Sequence, residues 1–131
     1  MKALTLAILE NKNLTPLPHA IEGGALPALV SGLGAVHRAN LAAALRLRTG
    51  RPLFVIAPDD TAAEAIAADL RSMLSEPVTV IGSREFTFYE AESVSRQAEQ
   101  RRLTALNDLC EGKTETAVCT ASALLQRTVP P

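Results

Sequence analysis

The 131-residue chain predicts an α/β fold, a mainly parallel sheet flanked by helices. Two observations carry this expectation. Four short runs, "PALVSG" (27–32), "PLFVIAP" (52–58), "PVTVIG" (77–82) and "TAVCT" (116–120), are apolar through their centres without strict alternation, as strands covered on both faces should be. Longer segments with helical spacing lie between them, and that alternation favours parallel strands joined by right-handed crossovers.

Residues 1–24 form an accessory helical lead-in, with "LTLAILE" and "PHAIEGG" as its helices, and residues 25–131 form the α/β domain. The run at 27–32 leads into Gly32 and Gly34 and then an alanine-rich helix, a strand-to-glycine-turn-to-helix layout. After the run at 52–58, Thr61 and Glu64 have capping-box spacing. Ile66, Leu70, Met73 and Leu74 then give a helical apolar stripe. Leu103, Leu106 and Cys110 give a second stripe, with Gly112 as its C-cap. The ending "ALLQRTVPP" stops just after a short helix pattern, which suggests a piece of a longer, multidomain chain.

Thirteen basic against fourteen acidic residues leave a formal charge of -1, so no overall field draws the chain to DNA or membrane. Three Phe, one Tyr and no Trp leave few platforms on which single-stranded bases would stack. Cys110 and Cys119 lie nine apart without a paired His; they read as buried thiols and not as a zinc site, and no metal is expected. The N-terminus lacks the apolar core and cleavage site of a signal peptide, and no stretch reaches the ~20 apolar residues of a membrane span. The expectation is a cytoplasmic protein without membrane contact.

The glycine turn is the first candidate site. A phosphate loop reads G-x-x-x-x-G-K-[ST]: its amides cradle phosphates, its Lys reaches them, and its hydroxyl holds magnesium. Started at Gly32, the chain gives His37 for the second Gly, Arg38 for the Lys and Ala39 for the Ser or Thr. A planar guanidinium does not replace a compact ammonium among phosphates, and Ala39 removes the magnesium ligand. ATP hydrolysis is therefore not expected at Gly32, Gly34, His37, Arg38 and Ala39. A structural turn and weak anion binding at the helix N-terminus both stay open. His37 reads as a partly exposed polar residue and not as a catalytic base.

Two other segments carry candidates. Asp59 and Asp60 resemble a metal or acid pair, but carboxylates at a helix start are better explained as caps that meet the helix dipole. After "TAVCT" come Ala121 and Ser122, so no water-activating carboxylate follows that strand. The segment 83–109 holds Phe86, Phe88 and Tyr89 with Arg96, Arg101 and Arg102, a possible partner or nucleic-acid contact. Glu85, Glu90, Glu92 and Glu99 dilute its positive field, so a solvated helix face is the simpler expectation.

Four ordered blocks, "LVSGLGAVHRANLAAAL", "PLFVIAPDDTAAEAIAADL", "SREFTFYEAESVSRQAEQRRLTALNDL" and "TAVCTASALLQRTVPP", resemble the N-terminal, UvrB-like domain of the bacterial transcription-repair-coupling factor (Mfd) family, over roughly residues 24 to 131. The resemblance implies a three-layer, RecA-like (Rossmann-like) P-loop NTPase fold that has lost nucleotide binding, in line with His37, Arg38 and Ala39. It implies a non-catalytic module of a nucleotide-excision-repair factor, without cofactor of its own; ATP and magnesium belong to distant motor domains. The partners it implies are the adjacent domains, UvrA (chiefly through the following domain), and RNA polymerase and DNA through the whole protein. A divergent nucleotide-binding or hydrolysing P-loop domain is the alternative, and DNA binding through Arg96, Arg101 and Arg102 a third.

Overall fold

The computed structural model describes residues 2–25, 27–83 and 92–126, with the side chains of 92–95 left aside. The order of elements is α1 (Lys2–Leu6), a 3-10 turn (Ala7–Glu10), α2 (Pro16–Glu22), α3 (Ala35–Thr49), β1 (Leu53–Ala57), α4 (Asp60–Leu74), β2 (Thr79–Ile81), α5 (Glu92–Cys110), β3 (Thr116–Thr120) and α6 (Ala121–Leu125). The chain divides into two compact units: Met1–Leu53 with Ala68–Glu76, and Phe54–Ala67 with Pro77–Pro131.

The first unit is helical. α1, the 3-10 turn and α2 all pack on α3, and the buried apolar residues of this unit are Leu14, Ala39, Leu41, Ala43, Ala44, Leu70 and Leu74. Small alanines on α3 allow close approach of the neighbouring helices. α3 ends at Gly50, whose φ of 67° is the left-handed conformation that glycine adopts without a Cβ penalty; its N–H donates to Arg46 O at 3.0 Å. Arg46 also pairs with Glu76 at 3.3 Å.

The second unit is α/β. Its three strands form a small parallel sheet in the order β1-β3-β2, a layout compatible with a Rossmann-like fold. Thr79, Val80 and Ile81 stand opposite Ala117, Val118 and Cys119. All five residues of β3 are buried, as a central strand covered on both faces requires. The Thr114 hydroxyl donates toward Pro77 O and Thr116 O, both at 3.0 Å, and so ties the entries of β2 and β3 together.

α4 is capped by Asp59, whose Oδ1 accepts from Ala62 N at 2.7 Å. The capping box expected from Thr61 and Glu64 does not form the start, because the helix already begins at Asp60. Its inward stripe is Ala63, Ala67, Leu70 and Leu74, with Ile66 and Met73 half-buried beside it. α5 closes in a Schellman motif: Gly112 has φ 68°, Gly112 N donates to Leu109 O at 3.1 Å, and Lys113 N to Asp108 O at 2.9 Å.

Three expectations need correction. The run at 27–32 is not a strand: its described residues have no regular structure, and Leu29 is 96% exposed. A strand exists only where a neighbour completes its ladder, and Pro27 has no N–H to give. The stripe of α5 is Arg102, Ala105, Leu106 and Leu109; Leu103 is 49% exposed and Cys110 lies on the solvent side. The two thiols therefore differ, with Cys119 buried in β3 and Cys110 exposed, both unpaired in disulfides. Phe86, Phe88, Tyr89, Glu85 and Glu90 lie outside the described residues.

Candidate functional site

The glycine turn before α3 has a phosphate loop's sequence outline without its strand. Gly32 has φ 80°, a position suited to glycine, and Gly34 is the N-cap of α3, extended at φ -67° and ψ 168°. Gly34 O accepts the first helical bond, from Arg38 N at 3.0 Å. His37 folds back over Gly34, with Nδ1 3.5 Å from where a Cβ on that glycine would stand. His37 and Arg38 are exposed, whereas Ala39 is 2% exposed in the helical core. The position that would need a hydroxyl for magnesium is thus a packing position, with its Cβ among core atoms.

A second polar group gathers where the strands of the α/β unit end. Open parallel sheets put ligand sites outside the carboxyl ends of their strands. Asp60 follows β1, Ser83 follows β2, Thr120 ends β3, and Ser122 lies in the first turn of α6. Ser83 Oγ donates to Asp60 Oδ2 at 2.6 Å, and Thr120 Oγ1 to Asp60 Oδ1 at 3.4 Å. Thr120 and Ser122 share a hydroxyl contact of 2.9 Å, and Thr120 Oγ1 accepts from Ala123 N at 3.2 Å as the N-cap of α6. The cluster holds one carboxylate and three hydroxyls. The chain's two histidines, His19 and His37, belong to the helical unit. What the cluster does is join three strand ends to one carboxylate.

Arg102 sits beneath it and is 5% exposed. Its Nη1 donates to Gly82 O at 3.0 Å, and its Nη2 to Ala123 O at 2.9 Å and Gln126 O at 3.3 Å. A guanidinium serves here because its fork reaches acceptors on separate segments at once. Burial pushes the Cys119 thiol above the usual range, while the Arg102 charge pulls it down. At the far end of α5, Lys113 pairs with Glu111 and with Asp108. Those contacts hold the Glu111 carboxyl below its usual range and the Lys113 ammonium above its own, chiefly through the Lys113–Glu111 hydrogen bond.

The three arginines singled out from sequence therefore do not form one surface. Arg96 and Arg101 are exposed, and Arg102 is interior. The Ser83–Asp60–Thr120 junction was the site that sequence reasoning missed; its signal was positional, since each residue closes a strand run or follows one. Among the described residues no three His, Cys, Asp or Glu side chains come together, and no helix is long and apolar enough to cross a membrane. No protein-family model, no curated protein and no solved structure matches the chain.

Proposed function

We propose that this chain is a non-catalytic module of the transcription-repair-coupling type, a degenerate helicase-like domain descended from a RecA-like P-loop fold. In that role it supports the neighbouring domain that recruits UvrA. It also helps hold an ATP-driven DNA translocase in check until stalled RNA polymerase is engaged. Its work is packing and presentation, with no bond made or broken. Support comes from the order of the four sequence blocks. The observation that carries the proposal is the placement of the phosphate positions: Arg38 on the solvent side, Ala39 in the core, and, among the described residues, no strand before the turn.

Two measurements test this. Titration calorimetry with Mg-ATP, ADP and inorganic phosphate is expected to give no binding heat. A thermal shift of several degrees with Mg-ATP, lost in Arg38→Ala, overturns the reading in favour of a divergent nucleotide-binding domain. Replacing the matching N-terminal region of a transcription-repair-coupling factor by this chain should leave UvrA recruitment and polymerase displacement working. A swap that folds but derepresses ATP turnover and loses UvrA defeats the scaffold role.

A further inference from the structure

The strand order leaves β1 at an edge of the sheet: β3 pairs with one side, and among the described residues no strand pairs with the other. Alternate residues of a strand turn their main-chain groups to opposite edges and their side chains to opposite faces. Val55 O lies 3.7 Å from Cys119 Sγ of β3, so the main-chain groups of Leu53, Val55 and Ala57 face β3. Those of Phe54 and Ile56 therefore face the free edge. Their side chains share one face of β1, where Phe54 is 49% and Ile56 59% exposed. Natural edge strands are commonly blunted by charged residues, yet Leu53–Ala57 carries none. Pro52 and Pro58 bound this open stretch without interrupting it.

The sequence around the edge is matched to itself. Arg51 stands four residues before Val55, and Asp59 four residues after it. Let two copies of β1 run antiparallel with Val55 opposite Val55. Phe54 then stands opposite the partner's Ile56, Leu53 opposite the partner's Ala57, and Arg51 opposite the partner's Asp59. No other antiparallel register sets Arg51 against Asp59. Both side chains are exposed, and neither makes an ion pair among the described residues. Opposed residues of antiparallel strands share a face, so the Phe54 and Ile56 side chains of both copies form one apolar cluster. Each pairing of Phe54 with Ile56 can exchange two N–H···O bonds, because both residues face the shared edge. Pro52 and Pro58, the next residues in that alternation, have no N–H and close the ladder.

We infer that β1 is a self-association edge, to which a second copy of this chain adds its own β1 in antiparallel fashion. The contact is isologous and closes at two copies, since each β1 edge is used once. The apolar cluster and main-chain bonds supply the attachment, and the paired charges of Arg51 and Asp59 set the register. Five-residue strands bury well under the ~1,200 Å² of a standard interface, so the dimer is weak and exchanges with monomer.

The test uses the whole chain. Sedimentation from micromolar to millimolar concentration is expected to show monomer passing into dimer. Over the same range, the Phe54 and Ile56 amides are expected to gain protection from hydrogen exchange, while the Val55 amide, which faces β3, does not. Ile56→Lys is expected to abolish the dimer by setting charges in the apolar cluster. Arg51→Gln, or Asp59→Asn (which keeps the cap of α4), is expected to weaken it about fivefold, the scale of two exposed ion pairs. The two changes together are expected to weaken it no further, because they remove the same pairs. Unchanged melting temperatures check the folding of these variants. A chain still monomeric at millimolar concentration overturns the inference, as does a dimer that survives Ile56→Lys. Additive or absent effects of the charge variants overturn the register. Phe54 and Ile56 amides protected equally at every concentration would show the edge covered within one copy, which also overturns it.

Discussion

Replacing Arg102 by methionine isolates what its guanidinium contributes. Methionine keeps most of the apolar stem and removes the head, so packing is largely retained. Three carbonyls, Gly82 O, Ala123 O and Gln126 O, lose their charged donor. Hydrogen bonds to charged groups contribute about 1.5–3 kcal/mol each, and a buried acceptor left without a partner costs about 1–3 kcal/mol. Two nitrogens serve the three acceptors, so the terms overlap, and water can reach the carbonyl near Gln126. A loss of about 3 kcal/mol is the expected sum. In urea denaturation followed by circular dichroism, with a slope of about 1.5 kcal/mol/M, the midpoint falls by about 2 M. Arg101→Met, one residue away on the solvent side, should change stability by less than about 0.5 kcal/mol. Arg102→Lys should recover only part of the loss, because a compact ammonium cannot span three segments. Equal and small effects at 101 and 102 would refute the buried clamp and return Arg102 to the surface.

Other outcomes follow from the same geometry. Asp59→Ala removes the cap of α4 and should cost about 1 kcal/mol, while Thr61→Ala should cost far less, measured by thermal melts of the two variants. Gly112→Ala places a Cβ at φ 68° with no neighbour within 4 Å, so backbone strain alone is read, about 1 kcal/mol by denaturant titration. Native chain should lose one thiol quickly to a thiol reagent, Cys110, and the second only on unfolding. Burial raises the Cys119 thiol, so the unfolded chain releases that proton first, near pH 8.5. The contribution of this thiol to stability is full below that pH and is lost as pH rises through the higher native value. Cys119→Ala should therefore show a shallower fall in stability between neutral and alkaline pH.

Much of the α/β unit was legible in the sequence because its signals are local. The runs bounded by Pro52 and Pro58, by Pro77 and Gly82, and by Thr116 and Thr120 became strands, and Gly112 ended α5 as its left-handed turn demands. What failed was non-local. The run at 27–32 has strand composition, but composition does not supply a partner strand. The phase of α5 was misjudged because hydropathy counts Arg102 as a surface residue, whereas its head is held by carbonyls of segments 20 or more residues away. In "PDDT" three residues can each cap a helix, and a one-residue shift of the helix start decides which does.

The glycine turn shows the same division between residue type and placement. From types alone, Ala39 is a lost magnesium ligand, a serine or threonine that has gone missing. In place, Ala39 is a core residue of a helix whose neighbours approach closely, beside Ala43 and Ala44, both fully buried. A hydroxyl there would enter that core, where an unsatisfied polar group costs about 1–3 kcal/mol, and would not face the turn. His37 stays on the solvent side, its Nδ1 3.5 Å from where a Cβ on Gly34 would stand. Restoring the three consensus residues would thus rebuild the motif's spelling and not its geometry, since the strand that aims a phosphate loop at its ligand is absent from the described residues before it. Of the positions that would mark lost chemistry, Ala39 is held by packing, so its residue type follows from the fold as it now stands, whereas His37 and Arg38 face solvent.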